Sequence, residues 1–267
     1  IMFSFKAKRG NEFSLSLLNN GKNAIFTSVN SICTRPDYKF EYGEKYTVTI
    51  KNEFGDSESL DFETAIEETG NWICAAVDDK SVVFKRKFQA NAEKARIKIA
   101  GLGLYRAFLN GYRIGDDWLT PLMNDYDDCV RAKTYEITLQ KGENTLEIFV
   151  GNGWYRGAFG IDGGFTEKWG KELMVNAIVY TDRGVLLSTD ESWLSSVGKI
   201  LDNGIYFGED RDDTIEYDFK PVKQAEKSFN LIPDYSAPIR TIEERGGKVI
   251  ITPKHEKVID FGQNGAG

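Results

Sequence analysis

Residues 134–150 read TYEITLQKGENTLEIFV, and the spacing of apolar residues within them decides the fold class. Tyr135, Ile137 and Leu139 alternate with polar residues, and Leu146, Ile148 and Val150 do so again after the polar segment Lys141-Gly142-Glu143-Asn144, which reads as a tight turn. Successive side chains on a strand point to opposite sides, so this period of two presents one apolar face to a core. Outward from this stretch the period recurs. Ile97 and Ile99 alternate with Arg96 and Lys98, and Leu173, Val175, Ala177 and Val179 form a further run. Asn110-Gly111 between LYRAFL and YRIGD is a strong hairpin signal, because both residues tolerate the positive φ of a type I′ turn. Asp182-Arg183-Gly184 separates VNAIVY from VLLS in the same manner. Repeated short strands predict an all-β protein built from sandwiches, with residues 222–231 the one stretch whose pattern suits a helix.

Composition excludes several function classes. Lys and Arg total 34 against 41 Asp and Glu, a net charge of -7, which speaks against nucleic acid because phosphate binding needs a concentrated basic face. No stretch approaches the roughly eighteen continuous apolar residues of a membrane span, so no membrane partner is expected. The opening IMFSFKAKRG lacks the basic region and apolar core of a secretory leader. Cys33, Cys74 and Cys129 are odd in number and widely spaced, neither a disulfide framework nor a zinc site. Free thiols suit a reducing compartment, yet the sequence leaves cytoplasmic and exported locations both open. His255, the one histidine, sits in the polar segment TPKHEK and reads as a surface residue.

Alternation breaks at 65–70, AIEETG, and again near 219–234, where Pro221 and Pro233 punctuate a polar run. These breaks predict three regions: 1–66, 71–219 and 220–267. In the first, YTVTI is an alternating strand and Phe54-Gly55-Asp56 a hairpin turn, and the pair resembles the last two strands of a fibronectin type III domain, with Tyr46 in the position of its tyrosine corner.

Residues 151–170, GNGWYRGAFGIDGGFTEKWG, concentrate glycine and aromatic residues more heavily than any other stretch. Glycine allows close backbone approach to a ligand, and Trp or Tyr offers a broad face on which the apolar side of a sugar ring can lie. Two readings stand open: Trp154 and Tyr155 form a sugar platform, or they plug the end of a sandwich. Asp116-Asp117, Asp127-Asp128 and Asp212-Asp213 are adjacent carboxylates, but neighbours on a strand diverge, and exposed acidic turns account for them.

The ordered motifs GLGLYRAFLNGYRIGDDWLTPLMNDYDD, TYEITLQKGENTLEIFVGNGWYRG, TDESWLSSVGKILDNGIYFGEDRDD, APIRTIEE and VIDFGQNGAG resemble the N-terminal β-domain region of bacterial α-L-rhamnosidases of glycoside hydrolase family 78. The resemblance runs from about Trp72 to the end, and a fibronectin-like module upstream fits it. It implies a jelly-roll β-sandwich over 71–219, then a linker and the start of another β domain over 220–267. It further implies that catalysis lies in a downstream (α/α)6 barrel, whose two carboxylates cleave terminal α-L-rhamnose from glycosides with inversion. No run of amphipathic helices here could build that barrel, so the expectation is a non-catalytic fragment that scaffolds the barrel, its partner. Some members bind L-rhamnose through a jelly roll of this type with calcium as a bridge. The candidate sugar-binding residues are then Asn124, Asp125, Asn152, Trp154 and Tyr155, with Asn124 and Asp125 the candidate calcium ligands. A free-standing carbohydrate-binding or adhesive β-sandwich protein is the alternative.

Overall fold

The computed structural model describes residues 3–4, 12–26, 33–77, 80–158, 160 and 164–263, and the chain divides into two compact units, 1–69 and 70–267. Among the described residues the one helix is the single turn Gly153–Arg156, and no helix is long and apolar enough to cross a membrane. The protein is all-β, as the alternation predicts.

In the first unit a four-stranded antiparallel sheet runs Lys22–Phe26, Phe13–Asn19, Lys45–Asn52, Ser57–Glu63. Leu15, Leu17 and Val48 bury its core face, and Phe40, Tyr46 and Phe62 pack beside them as an aromatic cluster. The turn at Phe54-Gly55-Asp56 closes the last hairpin, where Gly55 adopts φ 89°. The hydroxyl of Tyr46 accepts the backbone N–H of Glu41 at 3.0 Å, tying the entry of its strand to the preceding loop.

The second unit is a two-sheet sandwich. One sheet runs Tyr112–Arg113, Leu104–Leu109, Gly142–Gly151, Ser81–Ala90, Leu194–Val197, Lys220–Pro221. The other runs Lys223–Gln224, Ile73–Cys74, Met174–Thr181, Lys94–Leu102, Val130–Thr138, Leu231–Pro233, with Gly184–Ser188 paired to Met174–Thr181. The predicted inward residues Ile97, Ile99, Leu146, Ile148, Val150, Val175, Ala177 and Val179 meet between the sheets around fully buried Trp193. A second apolar cluster lies on the opposite face of the second sheet, where Ala100, Leu102, Val130 and Met174 are covered by Tyr126, Tyr155, Trp169 and Phe229. Met174–Thr181 is therefore buried on both faces, and its sequence MVNAIVY is correspondingly apolar almost throughout.

The Asn110-Gly111 hairpin forms as expected, with φ of 53° and 82°. The segment 141–144 departs from expectation. Val130–Thr138 pairs with Lys94–Leu102, whereas Gly142–Gly151 pairs with Ser81–Ala90 and Leu104–Leu109 in the other sheet. The chain thus turns a corner between sheets here and makes no hairpin. Asn144 closes that corner. At 0% exposure its carbonyl oxygen accepts Gln140 N–H at 3.0 Å and Asn110 Nδ2 at 2.9 Å, while its own Nδ2 donates to the carbonyls of Gln140 at 2.8 Å and Gly142 at 3.1 Å. Asn110 Oδ1 in turn accepts Thr145 N–H at 2.8 Å.

Two further expectations are corrected. Residues 222–231 form no helix: Lys223–Gln224 and Leu231–Pro233 are edge strands, and Ala225 and Phe229 pack on the outer cluster. The boundary at 219 does not end the sandwich, because Lys220–Pro221, Lys223–Gln224 and Leu231–Pro233 all pair with its strands. Edge strands keep polar side chains toward solvent, so their composition reads as a linker. Beyond them, Lys248–Ile251 and Lys257–Asp260 form a hairpin with Val249 and Ile259 exposed.

Replacing Asn144 by Ala leaves Asn110 Nδ2 and three backbone groups without their partner. The expected cost is about 2–4 kcal/mol, read as a lower urea midpoint with unchanged slope. A change within about 0.5 kcal/mol, the size of an ordinary surface substitution, would show that the corner closes without this side chain.

Candidate functional site

The site is assembled where the strand Gly142–Gly151 leaves its sheet. Two glycines permit that exit: Gly153 holds φ 54°, and a Cβ there would stand 2.7 Å from Leu104 N, while a Cβ at Gly103 would stand 2.3 Å from Gly151 O. The helical turn that follows is closed by Arg156 N–H to Asn152 O and Gly157 N–H to Gly153 O, each 3.1 Å.

The sequence-predicted residues converge, though mainly through packing. Tyr155 is 3% exposed, its ring edge-on to Tyr126 at 5.1 Å, and Tyr126 leans on Trp169 at 5.1 Å. Burial, with Glu172 nearby, pushes the Tyr155 hydroxyl up to about 12. This ring offers no face to a sugar and is corrected from platform to core. Trp154, on the other side of the turn, is half-buried. Asn152 is 3% exposed: its N–H donates to Asn203 Oδ1 at 2.8 Å, and its Nδ2 donates to Asn203 O at 2.9 Å. Asn203 Nδ2 reaches Lys80 O at 2.8 Å, so this pair of asparagines pins the hairpin Ile200–Gly204, Gly208–Arg211 to the sandwich. Asn152 therefore acts as a fastener at the edge of a cavity of about 420 Å³ that Lys80, Arg156, Asp202 and Glu209 also line.

Asn124 is buried as well, its carbonyl oxygen accepting Arg131 N–H at 3.0 Å, while Asp125 is exposed. That oxygen is thus engaged with the backbone, and a calcium ion would need six to eight oxygen ligands in all. Among the described residues no three His, Cys, Asp or Glu side chains stand close enough to hold a metal ion. Cys74 and Cys129 are free thiols, the side chain of Cys33 lies outside the described residues, and His255 is exposed. Within the glycine-rich stretch, residues 159 and 161–163 also lie outside them.

The acidic pairs separate in character. Asp116 is exposed and paired with Arg240 at 2.7 Å, and Asp213 with Arg211 at 2.7 Å. Asp117 is buried, contrary to the reading of an exposed turn. Its Oδ2 receives Thr120 Oγ1 at 2.6 Å, Lys133 Nζ at 2.9 Å and Tyr135 OH at 3.0 Å. Burial pushes this carboxyl up, and the bonds from Thr120, Lys133 and Tyr135 outweigh it, so its pKa lies below the ordinary 3.8.

Sequence reasoning missed a second concave region of about 600 Å³ between the 200–211 hairpin and the outer face of the first sheet. Arg106 and Phe149 are directly paired across two of its strands, and Phe108 meets Phe149 edge-on at 5.4 Å. The signal lay in the alternation: Phe108 and Phe149 fall out of phase with their inward neighbours, marking an outer face that is not simply solvated.

The sequence profile of the alpha-L-rhamnosidase N-terminal domain matches residues 90–251. An alpha-L-rhamnosidase of Formosa agariphila is 30% identical over an alignment of 216 residues that covers 69% of this chain and 22% of that relative. The crystal structure of an alpha-L-rhamnosidase from Aspergillus terreus superposes with a TM-score of 0.77 at 25% identity, over 96% of this chain and 34% of that one. The alpha-L-rhamnosidase of Dictyoglumus thermophilum shares the fold, with a TM-score of 0.74 at 22% identity over 98% of this chain and 36% of that one. The chain thus spans about a fifth of its curated relative, and the sandwich with its pinned hairpin and glycine-framed turn belongs to the alpha-L-rhamnosidase N-terminal domain family.

Proposed function

We propose that these residues are the accessory β-region of an enzyme that releases terminal α-L-rhamnose from glycosides, supporting a catalytic (α/α)6 barrel elsewhere in the protein and leaving bond cleavage to it. The observation that carries the reading is the pairing of family membership with extent: an all-β region that spans 22% of a rhamnosidase relative. The carboxylates support it too. Asp117 is held by Lys133, Asp116 by Arg240 and Asp213 by Arg211, so each is engaged in an ion pair, whereas inverting chemistry uses one carboxyl as acid and another as base. The jelly-roll boundaries are proposed as about 70 to 233, to include the edge strands. Any rhamnose contact falls to Trp154 and Asp125, the two sequence-predicted residues that are not buried.

The chain is expected to show no turnover of a chromogenic α-L-rhamnoside. Turnover abolished by a single Asp or Glu substitution within it would overturn the accessory reading. A second outcome concerns Trp154 and Tyr155. Tyr155→Ala is expected to cost about 3–5 kcal/mol, the range for emptying a buried aromatic site. Trp154→Ala should leave the melting midpoint nearly unchanged and abolish the calorimetric heat of L-rhamnose binding. Equal destabilisation by both would place Trp154 in the core as well.

The third outcome is a pH dependence. Because the folded pKa of Asp117 lies below its unfolded value, its stabilisation is fully present above the ordinary carboxylate range and is lost as pH falls through the lowered value. Asp117→Asn should cost about 2–4 kcal/mol near neutral pH, and the gap to the parent chain should close in acid. A gap that persists unchanged in acid would assign the role to packing rather than charge.

A further inference from the structure

The outer face of the first sheet carries an arrangement that the accessory role does not use. Strand register sets Arg113 opposite Phe108 and Arg106 opposite Phe149, so two guanidiniums and two phenyl rings share one face. Trp118, 40% exposed, lies with its ring centroid 4.6 Å from each guanidinium carbon. Its own position is fixed from the far side, where its N–H donates to Ile239 O at 2.8 Å and its indole Nε1 to Thr241 Oγ1 at 3.1 Å. Phe149 continues to Tyr217, centroids 6.4 Å apart, along the floor of the 600 Å³ cavity.

We propose that this cavity is a carbohydrate site separate from Trp154 and takes an acidic glycan, a pyranose chain bearing carboxylates, with Arg106 binding the carboxylate and Phe149 and Tyr217 forming the apolar wall. Charge complementarity argues for the occupant. On a chain of net charge -7, the cavity gathers Arg106, Lys199 and Arg211 against Glu209. Arg211 is spent on Asp213, and Lys199 donates to Asp213 O at 3.0 Å over the Tyr217 ring. Arg106 forms no salt bridge among the described residues; Glu209 acts on it only at longer range and less strongly than Arg113, the second cation, which stands beside it across Trp118. Like-charged guanidiniums gathered on one ring repel each other, and an anion against Arg106 offsets that repulsion. A guanidinium stacked on an indole keeps its N–H edge free for the two oxygens of a carboxylate in its plane, and Trp118 acts as the positioning residue that holds it so. Phe149 and Tyr217 then supply what a sugar ring needs and a bare anion does not, a broad apolar surface. The hairpin that roofs the cavity is fastened by Asn203 to Asn152 and Lys80, so the walls are set before a ligand enters.

The proposal does not depend on the accessory reading, and its test uses residues away from Trp154. The 267-residue chain is titrated calorimetrically with a galacturonic acid trisaccharide and, in parallel, with the same trisaccharide after its carboxyls are reduced to alcohols. The expected result is binding of the acidic form that weakens with added salt, and binding of the reduced form at least about tenfold weaker. Arg106→Gln should lose about tenfold and flatten the salt dependence, Arg106→Lys should recover part of the affinity, and Tyr217→Ala should weaken binding without altering the salt slope. Melting midpoints near that of the parent confirm that each exposed-face variant is folded. No heat with the acidic trisaccharide at millimolar concentration, equal affinity for the reduced form, or parent-like binding by Arg106→Gln would overturn the proposal.

Discussion

The sandwich depends on one buried amide. Strands Val130–Thr138 and Gly142–Gly151 are consecutive in the chain but belong to opposite sheets, and the corner between them is held by the side chain of Asn144. A corner with no hairpin pairing leaves carbonyls and N–H groups unmatched just where the chain enters the interior, and a buried group without a partner is costly. Asn144 satisfies Gln140 in both directions and reaches across to Asn110 in the neighbouring hairpin. The register of Gly142–Gly151 against both of its neighbours follows from that corner. So does the alternation that sends Leu146, Ile148 and Val150 inward and Phe149 outward.

The same device recurs where the strand Gly142–Gly151 leaves its sheet. Asn152 donates two hydrogen bonds to Asn203, which donates in turn to Lys80 O, and together they hold the 200–211 hairpin over the sheet, shaping one cavity beside Arg156 and the other above Phe149. Asparagine suits this task because it donates and accepts on one short side chain. The glycines of 151–157 serve this construction by letting backbones approach, and Tyr155 and Trp169 serve the second apolar cluster. A stretch rich in glycine and aromatics thus divides its labour. Tyr155 packs on the outer face of one sheet, and the backbone turn lines both cavities.

Buried charge here is structural as well. Asp117, Lys133, Thr120 and Tyr135 close on one another beneath the loop that carries Trp118, so the ring near the cavity rests on a satisfied polar cluster. Because Asp117 is stabilised as a carboxylate by Thr120, Lys133 and Tyr135, the cluster holds together near neutral pH.

The all-β class, the inward residues of the sandwich core and the Asn110-Gly111 hairpin were legible in the sequence, because a period of two and a turn that demands positive φ are local properties of a few residues. Family resemblance was legible for the same reason, as ordered motifs along the chain. The fate of 141–144 was not, since a tight turn looks alike whether the next strand pairs with the last or crosses to another sheet, and only the distant partners Ser81–Ala90 and Leu104–Leu109 decide it. Edge strands at 220–233 were hidden by their polar, proline-containing composition. Tyr155, Asn152 and Asn124 were nominated by type and position, but burial is a sum over residues far apart in sequence, and Tyr126, Asn203 and Arg131 claimed them. Asp117 went the other way, from a supposed exposed turn to a buried ion pair, because Lys133 and Tyr135 come from a strand that tertiary packing alone brings beneath it.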